Sequence, residues 1–204
     1  ASIILDITGM VIGTAYKGDI TIANYDSKIN IGKISLTLQK AYSWEEFGEG
    51  QYFDSFCLQI GAETEEEFNI QKVKILKAEN FEVYRIMNPL PKEAVELAWG
   101  SSLAIDKGCP YIEFSVQDDG KIKYGNVVYT GYKYKDSPLG YWFPSVQGMP
   151  GDEYNQLREN GTIVEFYWLQ LTDGGTWWGG CYPAYLALPT FKGNFFEWLL
   201  EETE

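Results

Sequence analysis

Apolar residues recur at every second position over many short stretches of this chain, and that periodicity constrains its fold more than any other feature. Ile20 and Ile22 alternate with Thr21 and its neighbours, and residues 34–38 repeat the pattern. Successive side chains of a strand point to opposite faces, so this alternation is typical of half-buried strands. Ile and Thr also suit a pleated surface. The sequence predicts an opening β-meander, with a turn at residues 17–19.

The same pattern continues through the chain and is interrupted by three predicted helices. Residues 92–99 follow two prolines and end at a glycine, which is typical of a helix, and Leu90, Ala94, Leu97 and Ala98 are expected on its buried face. Residues 152–159 and 194–202 are expected to form short helices, and the second of these is amphipathic, with Phe195, Phe196 and Leu199 inward. Further strands are predicted at residues 3–7, 68–86, 111–117, 121–134 and 162–171.

The length and composition then define a fold class. The chain has 204 residues, of which 45% are hydrophobic, and it contains no repeat and no low-complexity linker. We expect one domain over residues 1–204, mainly β (α+β): an antiparallel β-barrel or sandwich with one packed central helix and short peripheral helices. Within it we distinguish an acidic insertion, residues 41–67, and an aromatic, glycine-rich C-terminal part, residues 140–204.

Charge and histidine content remove several classes of function. The net charge is −13, whereas binding to nucleic acid or to an anionic membrane rests on clustered Lys and Arg. The chain has no histidine, so it lacks the Ser-His and Cys-His pairs of nucleophilic catalysis. Adjacent carboxylates such as Asp118 and Asp119 are better explained as turn residues than as a catalytic pair. We expect no enzyme, no cofactor and no metal.

The cysteines favour a reducing compartment. Cys57, Cys109 and Cys181 are odd in number and far apart, without the short spacing of a zinc site. We expect all three to act as small core residues, and no disulfide scaffold. The N-terminus has no basic region followed by a long apolar one, and no apolar stretch approaches membrane-spanning length. A cytoplasmic chain is expected, or one exported without a visible signal peptide.

Residues 41–71 contain no Lys or Arg, and eight carboxylates fall within this stretch. One interpretation is a solvated acidic loop with a short helix. The other is a patch that meets a basic protein partner, for which four residues are the candidates. They are Glu63, Glu65, Glu66 and Glu67.

Large aromatic residues are dense in the C-terminal part, where they stand in glycine-rich, loop-like sequence. Aromatic faces stack on sugar rings, so a glycan site is one interpretation. Buried anchors of a subunit interface are another, because Trp and Tyr dominate such anchors. Packing in the core is the third. The candidate residues are Trp142, Trp177, Trp178 and Tyr182.

The order of elements over residues 1–135 resembles the type VI secretion tube proteins, the haemolysin-coregulated protein family related to phage tail tubes. The resemblance implies a hexameric ring that stacks into a tube, with strands pairing across subunits and no catalysis. The acidic segment and the residues from 140 onward have no counterpart in that family. The similar stretches are residues 3–10, 81–87, 88–100, 111–116 and 124–134.

Three hypotheses follow from these observations. The first is a non-enzymatic structural protein that assembles with itself into a ring or tube. The second is an acidic immunity or inhibitor protein that covers the basic site of a toxin or enzyme, through salt-sensitive association. The third is a carbohydrate-binding module that uses the tryptophan-rich segments.

Overall fold

The computed structural model describes residues 15–23, 28–37, 42–100, 103–105, 108–125, 127–134, 140–144, 149–172 and 177–203. The chain divides into two compact units, residues 1–43 and residues 44–204, and each is described by itself. The expectation that the whole chain forms one domain stays a prediction. The strand expected at residues 3–7 lies outside the described residues.

The first unit contains an antiparallel hairpin of β1 (Ala15–Ala23) and β2 (Lys28–Thr37). These two strands form a sheet of their own, separate from the large sheet of the second unit. The turn predicted at residues 17–19 is wrong, because Gly18 pairs with Ile34 in the middle of the ladder. The apolar alternation on both sides of Gly18 outweighs its local preference for a turn.

In its described residues, the second unit holds one large antiparallel sheet and three α-helices. A mainly β fold with few helices is therefore confirmed. The helices are α1 (Glu65–Phe68), α2 (Lys92–Trp99) and α3 (Phe195–Thr203). The strands are β3 (Trp44–Asp54), β4 (Gln71–Ala78), β5 (Val83–Met87), β6 (Leu103–Ile105), β7 (Tyr111–Val116), β8 (Ile122–Tyr124), β9 (Val127–Tyr134), β10 (Gly140–Pro144), β11 (Gln156–Arg158), β12 (Ile163–Thr172) and β13 (Trp177–Ala187).

Eight of these strands close into a barrel. The sheet runs in the order β12, β13, β3, β4, β5, β7 and β8, and β11 pairs with β12 at the other end. Between β8 and β11, Lys121 and Gln156 form an antiparallel bridge. The Leu157 amide donates to the Gly120 carbonyl at 2.9 Å, and the Ile122 amide donates to the Asn155 carbonyl at 2.9 Å. These contacts join the two ends of the sheet and nearly complete the barrel. The helix predicted at residues 152–159 is wrong, because a short 3₁₀ turn, Asp152–Tyr154, and β11 occupy these residues.

Between β8 and β11 the chain leaves the barrel and forms β9 and β10. The partner strand predicted over residues 121–134 is divided: β8 pairs with β7, whereas β9 pairs with β6 and β10. β10 joins this group to the far end of β12, through the pair Trp142–Leu171. The predicted strand at residues 162–171 is confirmed as β12, which has partners on both sides.

The main core fills the barrel with inward-facing residues that alternate along each strand, and its largest side chain is Trp168. α2 covers one end of this core with Ala94 and Val95. The predicted extent of α2 is confirmed, but its predicted face is partly wrong, because Leu97 is 63% exposed. The helix has only two turns, and Ala94 and Val95 define its buried face. Leu97, two to three residues further along, therefore lies on the opposite face, toward solvent.

A second core lies on the outer face of the barrel, beneath α3. Phe195 and Leu199 are buried as predicted, and they pack with the outward-facing Phe53 of β3, whereas Phe196 is only half-buried. The Arg158 guanidinium joins β11 to the helix, because it donates to Glu202 Oε1 at 2.7 Å. The Trp198 indole also donates to Glu159 Oε1 at 3.1 Å. In the described part of the chain, no helix is both long and apolar enough to cross a membrane.

Candidate functional site

The first part of the acidic segment 41–67 is a strand of the barrel, which corrects the interpretation of the whole segment as a loop with a short helix. Residues 44–54 form β3, between β13 and β4, and only the short helix predicted there is confirmed, as α1. The register places Glu45 opposite Lys77 and Glu49 opposite Lys74. Lys74 also forms an ion pair with Glu46. These two lysines, which lie beyond the segment in sequence, offset part of the charge of β3, although the ion pair of Lys77 is with Glu82.

The four candidate glutamates lie at or before α1, and one of them has a structural task. Glu67 completes a capping box with Thr64: its carboxylate accepts from the amides of Glu63 and Thr64 at 2.9 and 3.1 Å. Glu63, Glu65 and Glu66 are exposed. The structure thus leaves three of the four carboxylates at the surface, next to one another on a capped helical turn.

The four candidate aromatic residues are not in loops. Trp142 lies in β10, and Trp177, Trp178 and Tyr182 lie in β13. The side chains of the three tryptophans are outside the part of the structure that is described. Tyr182 is half-buried against the core, with its ring 5.4 Å from that of Phe56. Packing is therefore the observed environment of Tyr182.

Sequence analysis overlooked a buried polar cluster at the end of β3. Asp54 is fully buried, and its Oδ1 accepts from the amides of Phe56 and Cys57 at 3.0 and 2.7 Å. The Tyr52 hydroxyl donates to Oδ2 at 3.2 Å. Burial raises the pKa of Asp54 to about 6, although these hydrogen bonds oppose the rise. The sequence feature that could have revealed this cluster is Asp54 itself, which stands at an inward position of a strand. It was overlooked because it was counted with the other carboxylates of the acidic segment.

The surroundings of the three cysteines raise the pKa values of their thiols. Cys57 and Cys109 are buried, as predicted, and Cys181 is half-buried. Burial raises the pKa of the Cys109 thiol to about 12 and holds that of Cys57 well above its usual value. The reactive species of cysteine is the thiolate, which these environments disfavour. Among the described residues, no group of three or more Cys, Asp or Glu side chains has a metal-binding arrangement.

The hairpin of the first unit has two unlike sides, which the backbone register defines. One side carries the pairs Tyr16–Leu36, Gly18–Ile34, Ile20–Gly32 and Ile22–Ile29. The other side carries Ala15–Thr37, Lys17–Ser35, Asp19–Lys33, Thr21–Asn30 and Ala23–Lys28. We call these the apolar side and the polar side of the hairpin.

A register shift between Ile20 and Thr21 creates this separation. Without the shift, Ile22 would pair with Asn30, and Ile29 would join the polar side. The extra residue in β2 reverses the alternation, so that Ile29 lies on the same side as Ile34. The hairpin is therefore amphipathic along its whole described length.

Comparison with protein-family models, with curated proteins and with solved structures finds no match for this chain. The resemblance to secretion tube proteins stays a prediction.

Proposed function

We propose that this chain is a non-enzymatic structural protein that assembles with itself, through the hairpin of its first unit, into a ring or a longer array. One observation carries the proposal: β1 and β2 pair only with each other among the described strands, and one side of their ribbon is apolar. A two-stranded sheet is marginally stable by itself in water. Its apolar side and its edges gain stability when another surface covers them.

The ionisable groups of the chain are also compatible with a structural role. The buried carboxylate of Asp54 is used by its own turn, and the buried thiols are held protonated. The chain has no histidine to act as a base at neutral pH. The lysines of β4 face only the glutamates of β3, so the exposed Glu63, Glu65 and Glu66 keep the inhibitor hypothesis as the second candidate. The glycan hypothesis depends on tryptophan side chains that are outside the described residues.

The mass of the protein in solution tests the proposal. We expect light scattering to give a mass that is a multiple of 23.2 kDa, and negative-stain images to show rings or rods. Ile34→Asn places an amide on the apolar side and should reduce the mass to that of a monomer. Ser35→Asn makes a comparable change at the next residue, on the polar side, and should leave the assembly intact.

Tryptophan fluorescence shows whether these variants remain folded, because all seven tryptophans lie in residues 44–204. An unchanged emission spectrum would mean that the barrel is intact and that the mass reports the hairpin alone. A wild-type protein that is monomeric at every concentration would refute the proposal. So would an Ile34→Asn variant that assembles as well as the wild type.

A further inference from the structure

The two units of the chain carry opposite charge. Residues 1–43 contain four lysines and three aspartates, for a net charge of +1, which leaves −14 for residues 44–204. Three of the lysines, Lys17, Lys28 and Lys33, share the polar side of the hairpin with a single carboxylate, that of Asp19. The described part of the hairpin is thus positive, on a chain whose total charge is −13.

Two copies could make three kinds of contact, and this charge asymmetry makes their electrostatic energies different. A contact between the two larger units brings −14 against −14, and a contact between two hairpins brings lysines against lysines. A hairpin on the larger unit of another copy is the one arrangement that joins opposite charges. If the apolar side of the hairpin covers a surface, the charges of the polar side lie about 10 Å from that surface. This distance is about one Debye length at 0.1 M salt, so the lysines still interact with charges on the covered surface.

We infer that copies of this chain join head to tail, with the hairpin of one copy on the 44–204 unit of the next. The inference rests on the proposed self-assembly and specifies its partner surface. Such a contact is heterologous: each copy offers a hairpin and also receives one. Reciprocal contacts of this kind close two copies into a symmetric dimer, and otherwise the contact forms a larger ring where its rotation closes and a filament where it does not.

Two double variants of equal net charge test the inference. Lys17→Glu with Lys28→Glu reverses two charges of the hairpin, at positions paired with Ser35 and Ala23 rather than with a carboxylate. Lys72→Glu with Lys123→Glu reverses two exposed lysines of the larger unit. Both proteins carry −17, so the general repulsion between copies is the same, and only the place of the charge differs.

At about 10 mM NaCl we expect the hairpin variant to need about threefold to tenfold more protein for half-maximal assembly than its partner variant does. At about 1 M NaCl, where the Debye length is about 3 Å, the difference should disappear. That recovery also shows that the variant hairpin still folds, because an unfolded hairpin would not regain assembly with salt.

The other outcomes are distinct. Hairpin variants that assemble as well as the wild type, or better, would indicate contact between hairpins and overturn the inference. Weaker assembly of the Lys72→Glu and Lys123→Glu protein alone would indicate contact between the larger units, with the same consequence. A monomeric wild type would refute the proposed function itself, whereas the first two results would leave self-assembly standing.

Discussion

Asp54 shows how a single buried carboxylate makes the stability of a fold depend on pH. Its neighbours satisfy both oxygens, yet burial still holds its pKa at about 6, above the ordinary value of 3.8. The folded state therefore binds the proton more tightly than the unfolded state does. The contribution of this group to stability is fully present below pH 4, falls as the pH rises, and is lost above about pH 6.

Asp54→Asn should remove this pH dependence. The amide oxygen can accept from the Phe56 and Cys57 amides, and its NH₂ group can donate to the Tyr52 oxygen, as a protonated carboxyl would. We expect the free energy of unfolding to match that of the wild type near pH 4 and to exceed it by about 1–3 kcal/mol at pH 7.5. Urea titrations at the two pH values measure the difference.

Asp54→Ala is the control for this comparison. It leaves the Phe56 and Cys57 amides without their acceptor and should destabilise the protein at both pH values, by about 1–3 kcal/mol for each amide. An Asp54→Asn protein whose difference from the wild type is the same at pH 4 and pH 7.5 would contradict the assignment of the titration to Asp54.

At the scale of single elements, α3 shows how a short helix is held on the outside of a closed barrel. Its first turn supplies Phe195, which is 1% exposed, and Phe196, which is only half-buried. The ring of Phe195 stacks on that of Trp198 at 6.0 Å, within the second core. The ring of Phe196 meets Phe68 at its edge, 5.5 Å away.

Phe195→Ala should therefore cost more stability than Phe196→Ala. Loss of the buried ring leaves a cavity, for which about 3–5 kcal/mol is expected, whereas loss of the half-buried ring should cost about half as much. Urea denaturation of the two variants measures both values, and each variant serves as the control for the other. Equal losses would mean that α3 does not lie on the barrel as described.

The elements that were predicted correctly have local signals. α2 begins after two prolines and ends at Gly100, β12 is apolar on both faces, and α3 has a helical apolar pattern. The errors arise where pairing with a strand that is distant in sequence determines the local structure. Residues 17–19 have the composition of a turn but lie in a ladder with β2, and residues 121–134 divide because β9 finds its partners in β6 and β10. No local pattern contains that information.

The same distinction applies to the candidate site. Glu63, Glu65 and Glu66 are at the surface as their sequence suggests, but Glu67 serves the helix cap, and the glutamates of β3 face lysines that are more than twenty residues away. The amphipathic hairpin was also partly visible, as alternating isoleucines. Its two sides became evident only with the register, because one extra residue in β2 moves Ile29 to the apolar side.

At the scale of the whole molecule, the two units differ in how their strands are supported. The barrel closes on itself and is filled by a continuous core, so its amides should exchange with solvent mainly through global unfolding. Among the described strands, only β1 and β2 belong to the sheet of the hairpin. Its amides should be protected to the extent that another surface covers it.

Hydrogen exchange followed by mass spectrometry can compare these two units in one experiment. In assembled wild type, we expect peptides from residues 15–37 to exchange about a hundredfold more slowly than in the monomeric Ile34→Asn protein, which corresponds to about 3 kcal/mol of docking free energy. Peptides from β12 and β13 should exchange equally slowly in both and provide the internal control. Full protection of residues 15–37 in the monomeric variant would instead mean that the hairpin is covered within its own chain, because no second copy would be present to slow the exchange.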